Sequence, residues 1–353
     1  MKNWYSKIVN LALLTLLTVG VANARPVLRV LAWPGYADPD IVATFEQRTG
    51  ADVQVSFVTS DQELWDRVSA HGGSDFDLFA VNTAELQRYI QAGLVSPVEL
   101  REIPNHEQQL PRFREFSRIP GLVHDGRVYA VPYTYSEMGI IYDPAQVEQP
   151  PDSLSALWDP AYRRRVLAFD TGNHNFSLAA MALGFANPFR LSDAEFYKAA
   201  ESLVALRRNV LTFYRSPDEV VQLYMKHPVA VMFANYGSQQ VKLLREAGIN
   251  VGYAIPREGA LAWLDCWAVT RGAKNPELAA QWIDYMLERP VSEALTERQG
   301  LANTVTPNPR THDDDLIIWL QPLEDNARRD RLWEKILSGD VPQKLLTEGA
   351  NKI

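Results

Sequence analysis

The sequence predicts an α/β protein made of two lobes around a hinged cleft. Three observations carry this. The chain has 353 residues, of which 46% are hydrophobic and 22% charged, which suits a globular protein of about two domains. Two separate blocks alternate short apolar runs with amphipathic stretches, the pattern of strand–helix units in a parallel sheet with helices on both faces. Proline-marked joints near Val131-Pro132-Tyr133 and near Ile255-Pro256 stand where strands would cross between lobes, and such crossovers permit hinged closure.

The elements follow in order. Residues 1–24 read as a secretory signal: Lys2 and Lys7 are its basic start, residues 8–21 its apolar run, and Ala22-Asn23-Ala24 its cleavage site. The apolar run is short for a membrane span. The mature chain then starts at Arg25, exported to the periplasm. Val27-Leu28-Arg29-Val30-Leu31-Ala32 is a buried strand, and Trp33-Pro34-Gly35-Tyr36 a turn. A helix follows with Asp38 as N-cap, Pro39 in its first turn and Gly50 just past its end. Residues 53–58 form a second strand, 60–69 a second helix and 77–81 a third strand. Later, residues 165–169 form a strand, 170–175 a polar loop and 176–185 an apolar helix. A strand over 229–233 and a helix over 238–246 complete the second block. A strand over 266–270 and a helix over 276–287 return to the first. Residues 25–134 plus 262–308 make one lobe, and 135–261 plus 309–353 the other.

Composition narrows the function. A net charge of -8 argues against a nucleic-acid binder, which needs a basic face, and suits a cationic ligand. Cys266 is the only cysteine, so no intrachain disulfide forms. The six histidines show no H-x-x-x-H or H-E-x-x-H spacing. No metal and no cofactor are expected.

The most informative stretch is Ile255-Pro256-Arg257-Glu258-Gly259-Ala260-Leu261-Ala262-Trp263-Leu264-Asp265. Trp263 and Asp265 set an aromatic face beside a carboxylate. Both attract an organic ammonium, the ring through its quadrupole and the carboxylate through its charge. Trp33 and Tyr36 add a second aromatic pair after the first strand, where α/β proteins carry ligand loops.

Taken with L-R-V-L-A-W-P-G-Y at the start, F-E-Q-R-T-G at 45–50, F-D-L-F at 76–79, Tyr129-Ala130-Val131-Pro132-Tyr133 and Leu287-Glu288-Arg289-Pro290-Val291, the chain resembles the periplasmic spermidine/putrescine-binding proteins. These are the solute receptors of polyamine ABC importers. The resemblance implies a type II periplasmic-binding-protein fold, an inner-membrane ABC permease as partner and a monomeric, non-enzymatic receptor. It implies that Trp33 and Tyr36 line the ligand and that Trp263 and Asp265 grip an ammonium. It implies that Asn82 and Thr83 lie on a ligand-contacting loop, and that Tyr135 stands where the family often has Trp.

The second lobe departs from the family. His174 and Tyr236 stand where relatives place acidic residues, and Leu301 where they have Tyr. A buried second ammonium without a carboxylate keeps its desolvation cost unrepaid. One alternative is therefore a ligand with a single amine and an anionic tail, an ω-amino acid or an aminophosphonate. Arg215 and the helix start at Ser216 would hold its anion; otherwise Arg215 is a surface residue. His174 is either a ligand contact or a solvated loop residue. Asp170 either faces the cleft, serving a second amine, or caps the following helix. An enzyme on the same fold would need Cys266 as nucleophile. Neighbours on a strand point to opposite faces, so Cys266 would not share the cleft with Asp265.

Overall fold

The computed structural model describes residues 25–312 and 315–339; the signal segment, residues 1–24, lies outside them. The strands are β1 (Val27–Ala32), β2 (Asp52–Phe57), β3 (Leu78–Asn82), β4 (Val95–Ser96), β5 (Val123–His124), β6 (Arg127–Val128), β7 (Val131–Met138), β8 (Ile140–Tyr142), β9 (Val166–Phe169), β10 (Val210–Tyr214), β11 (Val231–Phe233), β12 (Gly252–Ala254), β13 (Ala260–Thr270), β14 (Ala302–Asn303) and β15 (Ile317–Trp319). The α-helices are α1 (Pro39–Thr49), α2 (Asp61–Ser69), α3 (Thr83–Gln91), α4 (Pro111–Arg114), α5 (Gly172–Ala182), α6 (Asp193–Asn209), α7 (Pro217–Lys226), α8 (Ser238–Glu246), α9 (Pro276–Met286), α10 (Arg289–Gln299) and α11 (Asn326–Ser338).

Two main sheets form. The first runs β14-β7-β13-β3-β1-β2, with β4 and β15 also on β13; the second runs β10-β9-β11-β8-β12. Both are mixed, which corrects the expected all-parallel arrangement. β1, β2 and β3 are parallel, but β13 lies antiparallel to β3 and β7. In the second sheet β8 opposes the parallel set, and β12, antiparallel to β8, runs with that set. The chain passes between sheets and back, and the strands that return enter with reversed direction.

The crossing points also differ from expectation. Val131-Pro132-Tyr133 lies inside β7, and the chain crosses one residue after that strand ends, at Gly139. Pro132 fits there because it pairs with Cys266 at a register shift, where its missing N–H is tolerated. Gly139 has no room for a side chain: a Cβ would sit 2.6 Å from the Ala254 carbonyl. The return crossing, between β12 and β13, does fall at Ile255–Gly259. Strand β15 joins the first sheet through β13, although the sequence places 309–353 in the second lobe. Its Ile-Ile-Trp run extends an edge that β13 leaves open.

Each sheet has its own core. Phe45, Trp267 and Trp282 are buried in the first, with Phe45 and Trp282 edge to face at 5.1 Å. Helix α1 is fixed by Pro39 in its first turn and by Gly50 in the left-handed conformation at its end. The buried Asp77 ties β3 to β1: it accepts from the Arg29 backbone and guanidinium and from the Lys274 and Asn275 amides. The second sheet is covered by α5 and α6, and α11 packs on them through Trp333, Ile336 and the fully buried Arg329. Arg329 bonds Glu324, the Asn173 and Pro188 carbonyls and the Ser177 hydroxyl.

Candidate functional site

The site grows from the carboxyl ends of β1, β2 and β3, where α/β sheets place ligand crevices. After β1, Trp33-Pro34-Gly35-Tyr36 makes a turn closed by Tyr36 N–H to the Trp33 carbonyl at 3.1 Å. Gly35 is required in it: its φ is +86°, and a Cβ would run into the Gln299 side chain. The turn swings Tyr36 inward, where it is 4% exposed, and its hydroxyl donates to Asp265 Oδ2 at 2.6 Å.

Asp265 lies in the middle of β13, not before a strand at 266–270 as expected. The run from Ala260 is buried on both faces, so no alternation marks its start. Along β13, Trp263 and Asp265 share one face while Leu264 and Cys266 take the other. Asp265 is paired with Asn82 of β3 and with Thr134 of β7, and Trp263 with Ser136, so all of these point to the same side. Burial pushes the Asp265 carboxyl up to about 7; the Tyr36 hydrogen bond opposes that rise and the Asp61 carboxylate adds to it. Burial, then Asp265, raises Tyr36 well above an ordinary phenol.

Asn82 caps α3 by accepting from the Glu85 amide at 2.9 Å, and its Nδ2 donates to Asp61 Oδ1 at 3.1 Å. Thr83 opens α3 and is 1% exposed, its hydroxyl buried without a hydrogen-bond partner among the described residues. Asp61, the first residue of α2, was missed in the sequence. Its signal was positional: Ser60-Asp61 follows the second parallel strand, just as Trp33 and Asn82 mark the ends of the first and third.

Tyr135 does not belong to this wall. It pairs with Leu264, on the opposite face from Asp265, is 1% exposed and packs its ring against Phe113 at 4.9 Å and Trp319 at 5.9 Å. It is core.

The second wall is built by β9, α5 and the turn after β11. The loop at 170–175 is shorter than expected, because α5 starts at Gly172; His174 is therefore in its first turn rather than on a loop. His174 Nδ1 lies 2.6 Å from Asn235 Oδ1, and the ring stacks on Phe169. Burial lowers its pKa. The neutral ring donates Nδ1–H to Asn235, leaving the Nε2 lone pair as an acceptor. Tyr236 stands edge-on to Phe169 at 5.5 Å. Its carbonyl accepts from Ser136 Oγ at 3.2 Å, which joins this wall to the face of β7 and β13 that carries Trp263 and Asp265.

Asp170 does not cap α5, since Thr171 holds that position. Its Oδ2 accepts from Arg215 Nε at 2.7 Å and its Oδ1 from Trp333 Nε1 at 2.9 Å. The Arg215 side chain is 80% exposed. The helix start beside it is already served, by the Ser216 hydroxyl and by Glu219, which accepts the Arg215 amide. Cys266 is fully buried, and burial pushes its thiol well up. No helix among the described residues is long and apolar enough to cross a membrane, and no His, Cys, Asp and Glu side chains there are grouped to hold a metal ion.

The family model described as bacterial extracellular solute-binding protein matches residues 40–316. The chain belongs to that family. This solute-binding protein is 27% identical over 368 residues to the putrescine-binding periplasmic protein PotF of Escherichia coli, covering 96% of this chain and 98% of that one. It is 24% identical to a putrescine/cadaverine-binding protein of Pseudomonas aeruginosa, over 84% of each. Its fold is that of the spermidine/putrescine ABC transporter substrate-binding protein PotD from Streptococcus pneumoniae, solved with calcium and HEPES: TM-score 0.73 at 20% identity, covering 88% of this chain and 98% of that one. The Tp0655 lipoprotein of Treponema pallidum superposes with a TM-score of 0.74 at 18% identity, over 88% and 99%. The two-sheet architecture with its strand crossovers is thus the two-lobe periplasmic-binding-protein fold.

Proposed function

We propose that this protein is the periplasmic receptor of an ABC importer, binding polyamines or related amine-containing solutes non-covalently between its lobes. One observation carries the reading. A carboxylate, Asp265, is held by a phenol and shares a strand face with Trp263, the arrangement that binds an organic ammonium. The names of the relatives point the same way. In this reading the signal is removed after Ala24 and the receptor works as a monomer with an inner-membrane permease. The buried thiol of Cys266 supports a binder over an enzyme, because a nucleophilic cysteine needs an accessible thiolate.

The one-amine alternative draws no support from the geometry. Arg215 points to solvent and already holds Asp170. The neutral acceptor His174 Nε2 instead offers a second amine a hydrogen bond without a countercharge.

Calorimetry and thermal shift of the mature protein with putrescine, cadaverine, spermidine and 5-aminovalerate test the proposal. A ligand at a hundred times its dissociation constant adds about 2.7 kcal/mol. Binding of at least one di- or polyamine at micromolar concentration is expected. A response to 5-aminovalerate alone would favour the one-amine reading, and no response to any amine would end both.

A further inference from the structure

The first wall carries more negative charge than one ammonium-binding carboxylate supplies. Asp265 and Asp61 flank Asn82: Asn82 is the ladder partner of Asp265 and donates its amide to Asp61. Asp265 is 7% exposed, and among the described residues only its Oδ2 is hydrogen-bonded. No basic side chain makes an ion pair with either carboxylate among the described residues. Arg88 is the cation that acts on Asp61, but its guanidinium forms an ion pair with Glu85 at 3.0 Å, lies 4.2 Å over Trp65 and reaches Asp61 at its backbone carbonyl. Asp61 is exposed to solvent, yet protein atoms crowded around its carboxyl and the nearby Glu85 push it up to about 6, and Asp61 in turn raises Asp265. Two carboxylates joined through Asn82, one exposed and one buried without a countercharge, are arranged for a cation that is not part of the chain.

We propose that Asp61 is a second ligand-binding carboxylate, and that this end of the cleft takes a cationic group with several N–H donors, a primary ammonium or a guanidinium, shared between Asp265 and Asp61. The inference rests on the amine-receptor reading. It adds that acidic charge is concentrated on the first lobe. On the second lobe, Asp170 is already held by Arg215 and Trp333.

The test is putrescine titration calorimetry on the wild type, Asp61→Asn and Asp66→Asn. Asp66 lies on the same helix, is exposed, and its carboxylate accepts from the Gln62 side chain, so it controls for the loss of one negative charge. Asp61→Asn keeps an oxygen for the Asn82 amide. It is expected to weaken putrescine about tenfold, with Asp66→Asn within about twofold of wild type. The unliganded Asp61→Asn protein should melt no lower than wild type, because like-charge repulsion is removed; a purely structural role would lower both melting temperature and affinity. Equal affinities for the two variants would overturn the role of Asp61 and leave the receptor reading standing. A wild type that binds neither putrescine nor agmatine would overturn both.

Discussion

The hydroxyl of Tyr36 sits 2.6 Å from Asp265 Oδ2, across 229 positions of sequence. The contact links the loop after β1 to the centre of β13. It holds the carboxylate in one orientation and stabilises its ionised form, against burial that favours the neutral acid. In the proposed reading a ligand ammonium completes what the phenol begins, by supplying the positive charge that the buried carboxylate lacks.

Asp265→Asn should weaken di- and polyamine binding at least tenfold, since a charge-assisted contact is worth about 1.5–3 kcal/mol. Stability should move the other way. The folded carboxyl titrates near 7 against an ordinary 3.8, so the folded state holds this proton more tightly. The contribution of Asp265 to stability is full below pH 3.8 and is lost as pH rises through 7. Unliganded Asp265→Asn should therefore melt above wild type at pH 8, with the gap closing towards pH 4, as followed by calorimetric melting.

Putrescine affinity should fall as pH drops from 8 to 5.5, because the ammonium competes with a proton for Asp265. Tyr36→Phe removes the hydrogen bond that lowers this pKa while keeping the aromatic ring. The midpoint of the affinity profile should then shift to higher pH. An unchanged midpoint in calorimetric titrations would separate Tyr36 from the ionisation of Asp265.

Much of this was legible in the sequence, for local reasons. Pro39 and Gly50 delimit α1 through backbone restrictions that act within a few residues. The alternation of strands and helices exposed two α/β blocks. Strand direction was not legible, because whether β13 runs with or against β3 depends on how the chain returns between sheets. Nor was the place of Tyr135: it depends on register, and a shift of one residue turns a side chain to the other face. Asp61 is not legible, because no motif surrounds it. Its meaning comes from Asn82 and Asp265, which the sheet brings to it. The polar run 170–175 reads as a loop, and Gly172 and Asn173 are poor helix formers, yet α5 starts at Gly172, where packing against Arg329 and Trp333 overrides propensity.

Glu137 offers a test of the crossover. It is fully buried in β7, two residues before Gly139, with Asn308 Nδ2 3.3 Å from each of its oxygens. Burial raises it to about 7, opposed by Asn308 and Arg112 and assisted by Asp315. Its contribution to stability is likewise lost as pH rises from the ordinary 4.5 through 7. Glu137→Gln should raise the melting temperature at pH 8 and leave it near wild type at pH 4. Glu137→Ala should lower it at both, because Asn308 loses its buried acceptor.

Arg215→Ala tests how the second wall is tuned. Arg215 is mostly exposed, so its removal should leave the melting temperature near wild type. Its bond to Asp170 Oδ2 neutralises that carboxylate, whose other oxygen stays fixed by Trp333 on α11. Loss of the guanidinium frees one oxygen and leaves the Asp170 charge uncompensated at the start of α5, which should tighten putrescine and spermidine about threefold to tenfold. Binding of 5-aminovalerate should not weaken, because Arg215 is engaged with Asp170 rather than with a ligand anion. A selective loss of 5-aminovalerate in competition calorimetry would instead make Arg215 an anion contact, and would return the second wall to a ligand with one amine.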